Sequence, residues 1–237
     1  MTRLFKTSPH DCSYIRDRQA ETLFVDPEAA VTPDMYEQLN LAGFRRSGSH
    51  FYRPACSGCN ECQSLRVLVE EYQPARRHRR ILKKADPLVR WQVTPVHYEE
   101  AYWNLYERYI NVRHRDGDMF PPAKEDFYRF LLQRSEFGFL LEARLGDELL
   151  LVTAVDQFSQ GLSAVYTFFD PDHSALSPGT LAVLQLWRAC KELQLPYLYL
   201  GYWLSSVPNM RYKADFMPAE VFQDDQWQRL IRTSTDI

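Results

Sequence analysis

A chain of 237 residues can bury a sizeable core, as one large domain or two small ones. Its 45% hydrophobic and 25% charged residues are ordinary for a globular protein, and a net charge of −3 excludes a global basic field of the kind that announces a nucleic-acid binder. The start, MTRLFKTSPHDCSY, has no apolar core of signal-peptide length, and no run of about 18 apolar residues occurs, so a cytoplasmic protein with reduced cysteines and no membrane partner is expected.

In chain order, residues 13–50 read as loop apart from one short helix, TPDMYEQLNLAGF (32–44), begun by Thr32 and Pro33 and ended by Gly43. SLRVLVEEY (64–72) alternates as a strand does, and 74–84 reads as a basic helix. LVRWQVTPV (88–96) is a second strand. In YEEAYWNLYERYINVRH (98–114), Tyr98, Ala101, Tyr102, Leu105, Tyr109 and Val112 fall near one helical stripe. RDGDMFPP (115–122) breaks the chain, and helix resumes at 123–133. FGFLLEARL (137–145) and ELLLVTAVDQF (148–158) form a β-hairpin around Gly146-Asp147, followed by a third strand, GLSAVYTFFDP (161–171). HSALSPGTLAVLQLWRACKEL (173–193) is a loop leading into a long amphipathic helix with Cys190 in a core register. PYLYLGYWL (196–204) is a buried strand, and 205–218 a polar loop.

Helix, helix, three meandering strands, helix, strand is the order of an acyl-CoA N-acyltransferase-like (GNAT-like) α+β domain. Its mixed, mostly antiparallel sheet carries flanking helices and splays at one parallel pair. The expected division is a cysteine-containing basic module at 1–90 and the GNAT-like domain at 91–237.

Charge is uneven along the chain. Residues 1–90 hold 15 Lys/Arg against 11 Asp/Glu, the remainder 13 against 20, and RRHRRILKK (76–84) has six Lys/Arg in nine positions. Such a run is either a solvated helix face or a phosphate-binding surface. Cys56, Cys59 and Cys62, at C-x-x-C-x-x-C spacing, make a four-thiolate set with the distant Cys12, suited to zinc or an iron–sulfur cluster. The alternative is a turn packed with reduced thiols. Ser177-Pro178-Gly179-Thr180 offers free N–H groups at a helix start, but it has one glycine only, and Pro178 removes a donor, which counts against a CoA pyrophosphate. YLYLGYWLSSVPNMRYKADF (197–216) interleaves aromatics with cations, a pattern that stacks a base and holds its phosphates, or else is core. His50, His78, His97, His114 and His173 are scattered, and no Ser-His-Asp order, P-loop or H-E-x-x-H is present.

CSYIRDRQAETLFVDP (12–27), GFRRSGSHFYRPACSGCNECQSLRV (43–67), HRDGDM (114–119), FFDPDHSALSPGT (168–180), PYLYLGYWL (196–204) and NMRYKADFMP (209–218) together resemble the arginyl- and leucyl-tRNA–protein transferases. Within that family they look like the short bacterial branch, aspartate/glutamate leucyltransferase. The resemblance implies transfer of an aminoacyl group from aminoacyl-tRNA to the N-terminal α-amine of a protein, marking that protein for degradation. For the branch it implies Leu as donor and N-terminal Asp or Glu as acceptor. No cofactor is expected for the transfer itself, although eukaryotic relatives hold an iron–sulfur cluster or zinc on an N-terminal cysteine set.

The expected roles follow. Backbone N–H groups near Gly179 and Thr180 stabilise the oxyanion, while Tyr202, Tyr212 and Lys213 orient the terminal adenosine or relay a proton. Arg66, with Arg53 second, holds the acceptor carboxylate, and Ser177, Tyr199 and Arg211 complete the substrate site. Arg76, Arg79, Arg80 and Lys83 meet acceptor-stem phosphates. The chain departs from the family at Arg16-Asp17 (Pro-Gly in relatives), Arg77-His78 (Ser-Gln), Pro178 (Leu) and Asn209 (Lys), and the early cysteine pair is reduced to Cys12, with Ile15 at the second position. Arginyl transfer is the nearest alternative, followed by a CoA-dependent N-acetyltransferase and a non-catalytic RNA-binding protein.

Overall fold

The computed structural model describes residues 3–117 and 119–231; Asp118, in the HRDGDM stretch, lies outside them. Strands β1 (Leu4–Lys6), β2 (His10–Asp11), β3 (Gln19–Ala20) and β4 (Thr22–Val25) precede helix α1 (Pro33–Leu41). Thr32 caps α1 by accepting from the Met35 N–H, with Pro33 at the first position where its missing N–H costs nothing. After α1 the chain turns at Gly43, whose φ is +81° and whose Cβ would lie 2.5 Å from the Phe222 ring, so only glycine fits. The hairpin β5 (Arg45–Ser47) and β6 (His50–Pro54) then completes a four-stranded sheet in the order β1-β4-β6-β5. The expected loop at 13–50 is thus partly sheet. Its strands are two to five residues long, too short for an alternation to stand out.

The central sheet has eight strands. It takes in β7 (Gln63–Leu68) and, after helix α2 (Arg76–Ala85), β8 (Val89–Pro95). Helix α3 (Glu100–Arg113) follows, then α4 (Lys124–Phe127), which runs into a π-helical turn at Tyr128–Leu132. The meander is β9 (Gly138–Leu145), β10 (Glu148–Phe158) and β11 (Gly161–Phe169). Helix α5 (Pro178–Glu192) leads to β12 (Tyr197–Trp203), a helical turn α6 (Pro208–Arg211), and the hairpin β13 (Ala219–Gln223) and β14 (Gln226–Arg229). The order is β14-β13-β7-β12-β11-β10-β9-β8, antiparallel throughout except for β11 with β12. β7, from the first 90 residues, is inserted between β12 and β13, so both expected segments share one sheet. The β13–β14 hairpin was not legible as strand.

One face of the sheet is covered by α2 and α5 in a core that includes Leu65, Val67, Leu151, Leu184 and Cys190, the last buried as expected. The other face is covered at one end by α3 and α4, and at the other by the small sheet with α1. On α3 the buried stripe is Tyr102, Trp103, Leu105, Tyr106, Tyr109 and Ile110, whereas Tyr98 and Val112 are exposed. Two apolar positions per turn face inward because α3 meets the sheet broadly and not along a narrow seam.

The small sheet is tied to the large one by a buried ion pair. Arg46 on β5 donates from Nε and Nη2 to the two oxygens of Asp156 on β10 at 2.7 and 2.5 Å, and the Tyr36 hydroxyl donates to the same carboxylate at 2.8 Å. Removing one member leaves a buried, uncompensated charge. Asp156→Ala is expected to lower unfolding free energy by about 3–5 kcal/mol, measured by urea denaturation. Tyr36→Phe should cost about 1.5–3 kcal/mol, because the hydroxyl donates to a charged group.

Candidate functional site

β11 and β12 pair only where Gly161–Ser163 meet Tyr197–Tyr199. Beyond that point the strands part, and Ala164 to Thr167 and Gly201 are only partly buried. α5 begins at this fork. Ser177, at φ 53° and ψ 57°, makes no side-chain cap, and Pro178 has no N–H to offer, so the N–H groups of Gly179 and Thr180 stand at the open, positive end of a fifteen-residue helix. A Cβ on Gly179 would touch only the Phe169 ring, at 3.8 Å.

On the opposite bank, β12 bulges between Tyr199 and Tyr202, with Gly201 at φ +75°. A Cβ there would meet only Lys213 Nζ, at 3.9 Å. That amine donates to the Tyr202 carbonyl at 2.5 Å. Burial, and then the charge of Arg45, push its pKa down to about 8. Tyr212 is 40% exposed. It approaches Tyr109 of α3 closely enough to help hold that phenol at about 12, behind burial as the main cause. Tyr109 packs on Phe169 and shares a 3.0 Å hydrogen bond with His114, whose pKa is lowered by burial and by Arg113. The fork therefore brings together Ser177, Gly179 and Thr180 on one side and Tyr212 and Lys213 on the other.

Other residues named from the sequence are engaged elsewhere. The Tyr202 hydroxyl points toward the small sheet, donating to the carbonyls of Tyr52 at 3.0 Å and Gly43 at 3.2 Å, so it ties the layers together. Tyr199 is 1% exposed and packs against Phe158 and Trp227. Arg66 binds Glu220 through Nε (2.8 Å) and Nη2 (2.6 Å), with its guanidinium held between the Tyr197 and Trp227 rings. Arg53 donates to Asp225 and to the Ala42 carbonyl, and Arg211 to the Ser205 carbonyl.

On α2, Arg76, Arg79, Arg80 and Lys83 are exposed, while His78, Leu82 and Ala85 face the core. His78 bonds Tyr72 at 2.6 Å and stacks on Phe216, and Arg77 pairs with Asp215. His97 bonds Glu99 at 2.8 Å. These histidine partners are distant in sequence or hidden in a turn, and so were not legible there.

Cys12, Cys56, Cys59 and Cys62 line one cavity of about 220 Å³, with Arg18, Arg53 and Tyr202 in the same wall. The convergence written from the sequence is present, but no three His, Cys, Asp or Glu side chains among the described residues gather into a ligand shell. Two of the sulfurs accept other bonds: Arg18 donates to Cys59, and the Glu21 N–H to Cys56, both at 3.4 Å. Burial, then the other three cysteines, hold the Cys62 thiol at about 12, the protonated form. As arranged, these are four thiols around one cavity, not drawn into a ligand shell among the described residues.

Sequence reasoning missed Arg45. This side chain is 5% exposed, and its Nη1 donates to Asn40 Oδ1 and the Phe44 carbonyl, both at 2.7 Å. Its Nε and Nη2 find no partner among the described residues, nor does Asn40 Nδ2. The guanidinium lies over Tyr199, within electrostatic reach of Tyr36, Tyr52 and Tyr202, and no described carboxylate forms a salt bridge with it. The only hint in the sequence is the tandem Arg45-Arg46 in an otherwise aromatic hairpin.

Family models described as the N terminus and the C terminus of arginine-tRNA-protein transferase match residues 10–80 and 101–223. An aspartate/glutamate leucyltransferase from Marinobacter nauticus is 46% identical, covering 98% of this chain and 96% of its own. One from Alcanivorax borkumensis is 47% identical over 95% and 93%. The solved "C-terminal Domain (DUF2156) of Putative Lysylphosphatidylglycerol Synthetase" from Agrobacterium fabrum superimposes with a TM-score of 0.50 at 10% identity, over 84% of this chain and 64% of that one, a likeness of fold alone. With both halves matched and full-length relatives well above 40% identity, the chain belongs to the arginine-tRNA-protein transferase family.

Proposed function

We propose that this protein is an aminoacyltransferase that moves leucine from leucyl-tRNA to the N-terminal α-amine of proteins beginning with Asp or Glu. The observation that carries the reading is the near-complete alignment with relatives named aspartate/glutamate leucyltransferase. The meander with one parallel pair supports a GNAT-like transfer domain, and marking for degradation and a cytoplasmic setting belong to the same reading. No helix among the described residues is long and apolar enough to cross a membrane.

The fork suits the chemistry. The ester of an aminoacyl-tRNA is already activated, so holding amine and carbonyl in register supplies most of the acceleration, on the order of 7–11 kcal/mol in ideal cases. The amine attacks the carbonyl carbon, a C–N bond forms, the C–O bond to the ribose breaks, and the proton lost by nitrogen is balanced by one gained by the ribose oxygen. The N–H groups of Gly179 and Thr180 face the developing oxyanion. Lys213, with a pKa of about 8, is charged at neutral pH and gives its proton to the departing ribose oxygen. Tyr212, at the rim, stacks the terminal adenosine, and the exposed arginines and Lys83 of α2 take the phosphates. No step falls to the four thiols.

Leucine as donor is favoured by the buried acids. Asp156 and Glu142 are the buried carboxylates among the described residues, and both are already paired, with Arg46 and Arg144. An arginyl side chain would need a free one. Val165, Tyr166, Phe169, Met119 and Phe130 instead offer half-buried apolar surface at the fork.

Purified protein should transfer labelled Leu, and not Arg, from tRNA to peptides starting with Asp or Glu; label from Arg-tRNA alone would assign the other donor. Arg76, Arg80 and Lys83 replaced together by Ala should weaken tRNA binding and reduce the slope of log K against log salt by about 3. The rate should be bell-shaped in pH. It rises as the acceptor amine deprotonates near pH 8 and falls as Lys213 loses its proton over the same range. Lys213→Met should lower kcat by about 10²–10⁴-fold and abolish the alkaline limb, as read from single-turnover rates.

A further inference from the structure

Two cations stand at the closed end of the fork with no anion beside them. Lys213 Nζ lies over Gly201, and Arg45 is near enough to depress its pKa. Neither forms a salt bridge with a described residue, in contrast to Arg46, Arg53 and Arg66, each of which has its own carboxylate. Burying guanidinium without a counter-charge is costly, and a fold keeps such a group where a ligand completes it.

The unpartnered atoms specify the ligand's shape. Nη1 of Arg45 is used by Asn40 and Phe44, which fixes the plane of the guanidinium. What remains is the side-on pair Nε and Nη2, whose spacing matches the two oxygens of one carboxylate. Asn40 Nδ2, on the residue that anchors Arg45, is a third unused donor. Gly201 leaves the strand bare beside Lys213, since a side chain there would meet nothing within 4 Å but Lys213 Nζ.

We infer that Arg45, anchored by Asn40 and assisted by Lys213, binds the side-chain carboxylate of the acceptor's N-terminal residue and sets the preference for Asp and Glu. The inference rests on the transfer reaction proposed above and replaces Arg66 and Arg53, whose guanidinium groups are occupied by Glu220 and Asp225. With the carboxylate on Arg45, the adjacent α-amine lies beside Lys213 and across the gap from Gly179, where the ester carbonyl is received. An isosteric Asn or Gln leaves an N–H donor facing a cation and loses the side-on pair.

The test compares wild type, Arg45→Gln and Arg45→Lys with Leu-tRNA and peptides starting Asp, Asn, Glu, Gln and Ala, folding being checked by circular dichroism and melting. Arg45→Gln should reduce kcat/KM for Asp and Glu peptides about 100-fold, mainly through KM, and bring the Asp-to-Asn ratio close to one, with Leu-tRNA affinity unchanged. Arg45→Lys, which keeps the charge but not the fork of donors, should recover about tenfold. A crystal of the wild-type protein with an Asp-Ala peptide, which depends on no variant, should place the carboxylate on Nε and Nη2. Retention of the Asp-to-Asn ratio in Arg45→Gln, a peptide carboxylate bound elsewhere, or loss of tRNA affinity in place of peptide affinity overturns the assignment while leaving the transfer reaction standing. Failure of wild type to transfer leucine to any peptide removes both.

Discussion

The pairing of Arg46 with Asp156 governs the arrangement of the whole molecule. It is a bidentate contact with no exposure on the carboxylate, and it joins the three-residue strand β5 of the small sheet to β10 of the large one. It adds a charged, directional contact to the aromatic packing among Tyr36, Phe51, Phe137 and Phe158 and to the hydrogen bonds of Tyr202 with Gly43 and Tyr52. The charged contact fixes the azimuth. Because Arg45 is the preceding residue on the same strand, the pair that holds the layers also sets where the second guanidinium lies. Two adjacent arginines thus divide between them the tasks of holding the fold and presenting a charge.

The same division recurs on β12. Tyr202 sends its hydroxyl to the carbonyls of Gly43 and Tyr52, and its own carbonyl receives Lys213 from the other side. One residue therefore joins the small sheet to the fork. Its burial and its two acceptor carbonyls suit it to a structural tie, whereas the Lys213 amine is desolvated and forms no salt bridge with a described carboxylate.

Much of this architecture was legible from patterns of the ordinary kind. The meander from Gly138 to Phe169, the long helix after Pro178 and the buried strand at Tyr197 have lengths over which periodicity is unambiguous. The strands near the N terminus do not, since three residues such as Arg45–Ser47 cannot display an alternation, and a charged Arg-Arg reads as surface. Gly179, Thr180, Tyr212 and Lys213, which the fork brings together, stand in local features, a loop-to-helix junction and an aromatic–cation run, that a sequence displays. Arg66, expected to hold the acceptor carboxylate, is paired with Glu220, and a partner 154 residues away is not visible from the chain. Arg45 was overlooked for the converse reason. That a cation lacks a partner is a property of its three-dimensional surroundings and has no signature in the chain.

Helix α2 has two faces with different neighbours. Outward it is basic; inward, His78 lies flat on Phe216, and at the edge the half-exposed Arg77 is paired with Asp215, three and two residues beyond Lys213. One ten-residue helix thus carries exposed cations on one side and, on the other, packs against the segment that follows Lys213, so the basic surface and the fork are neighbours across a single element.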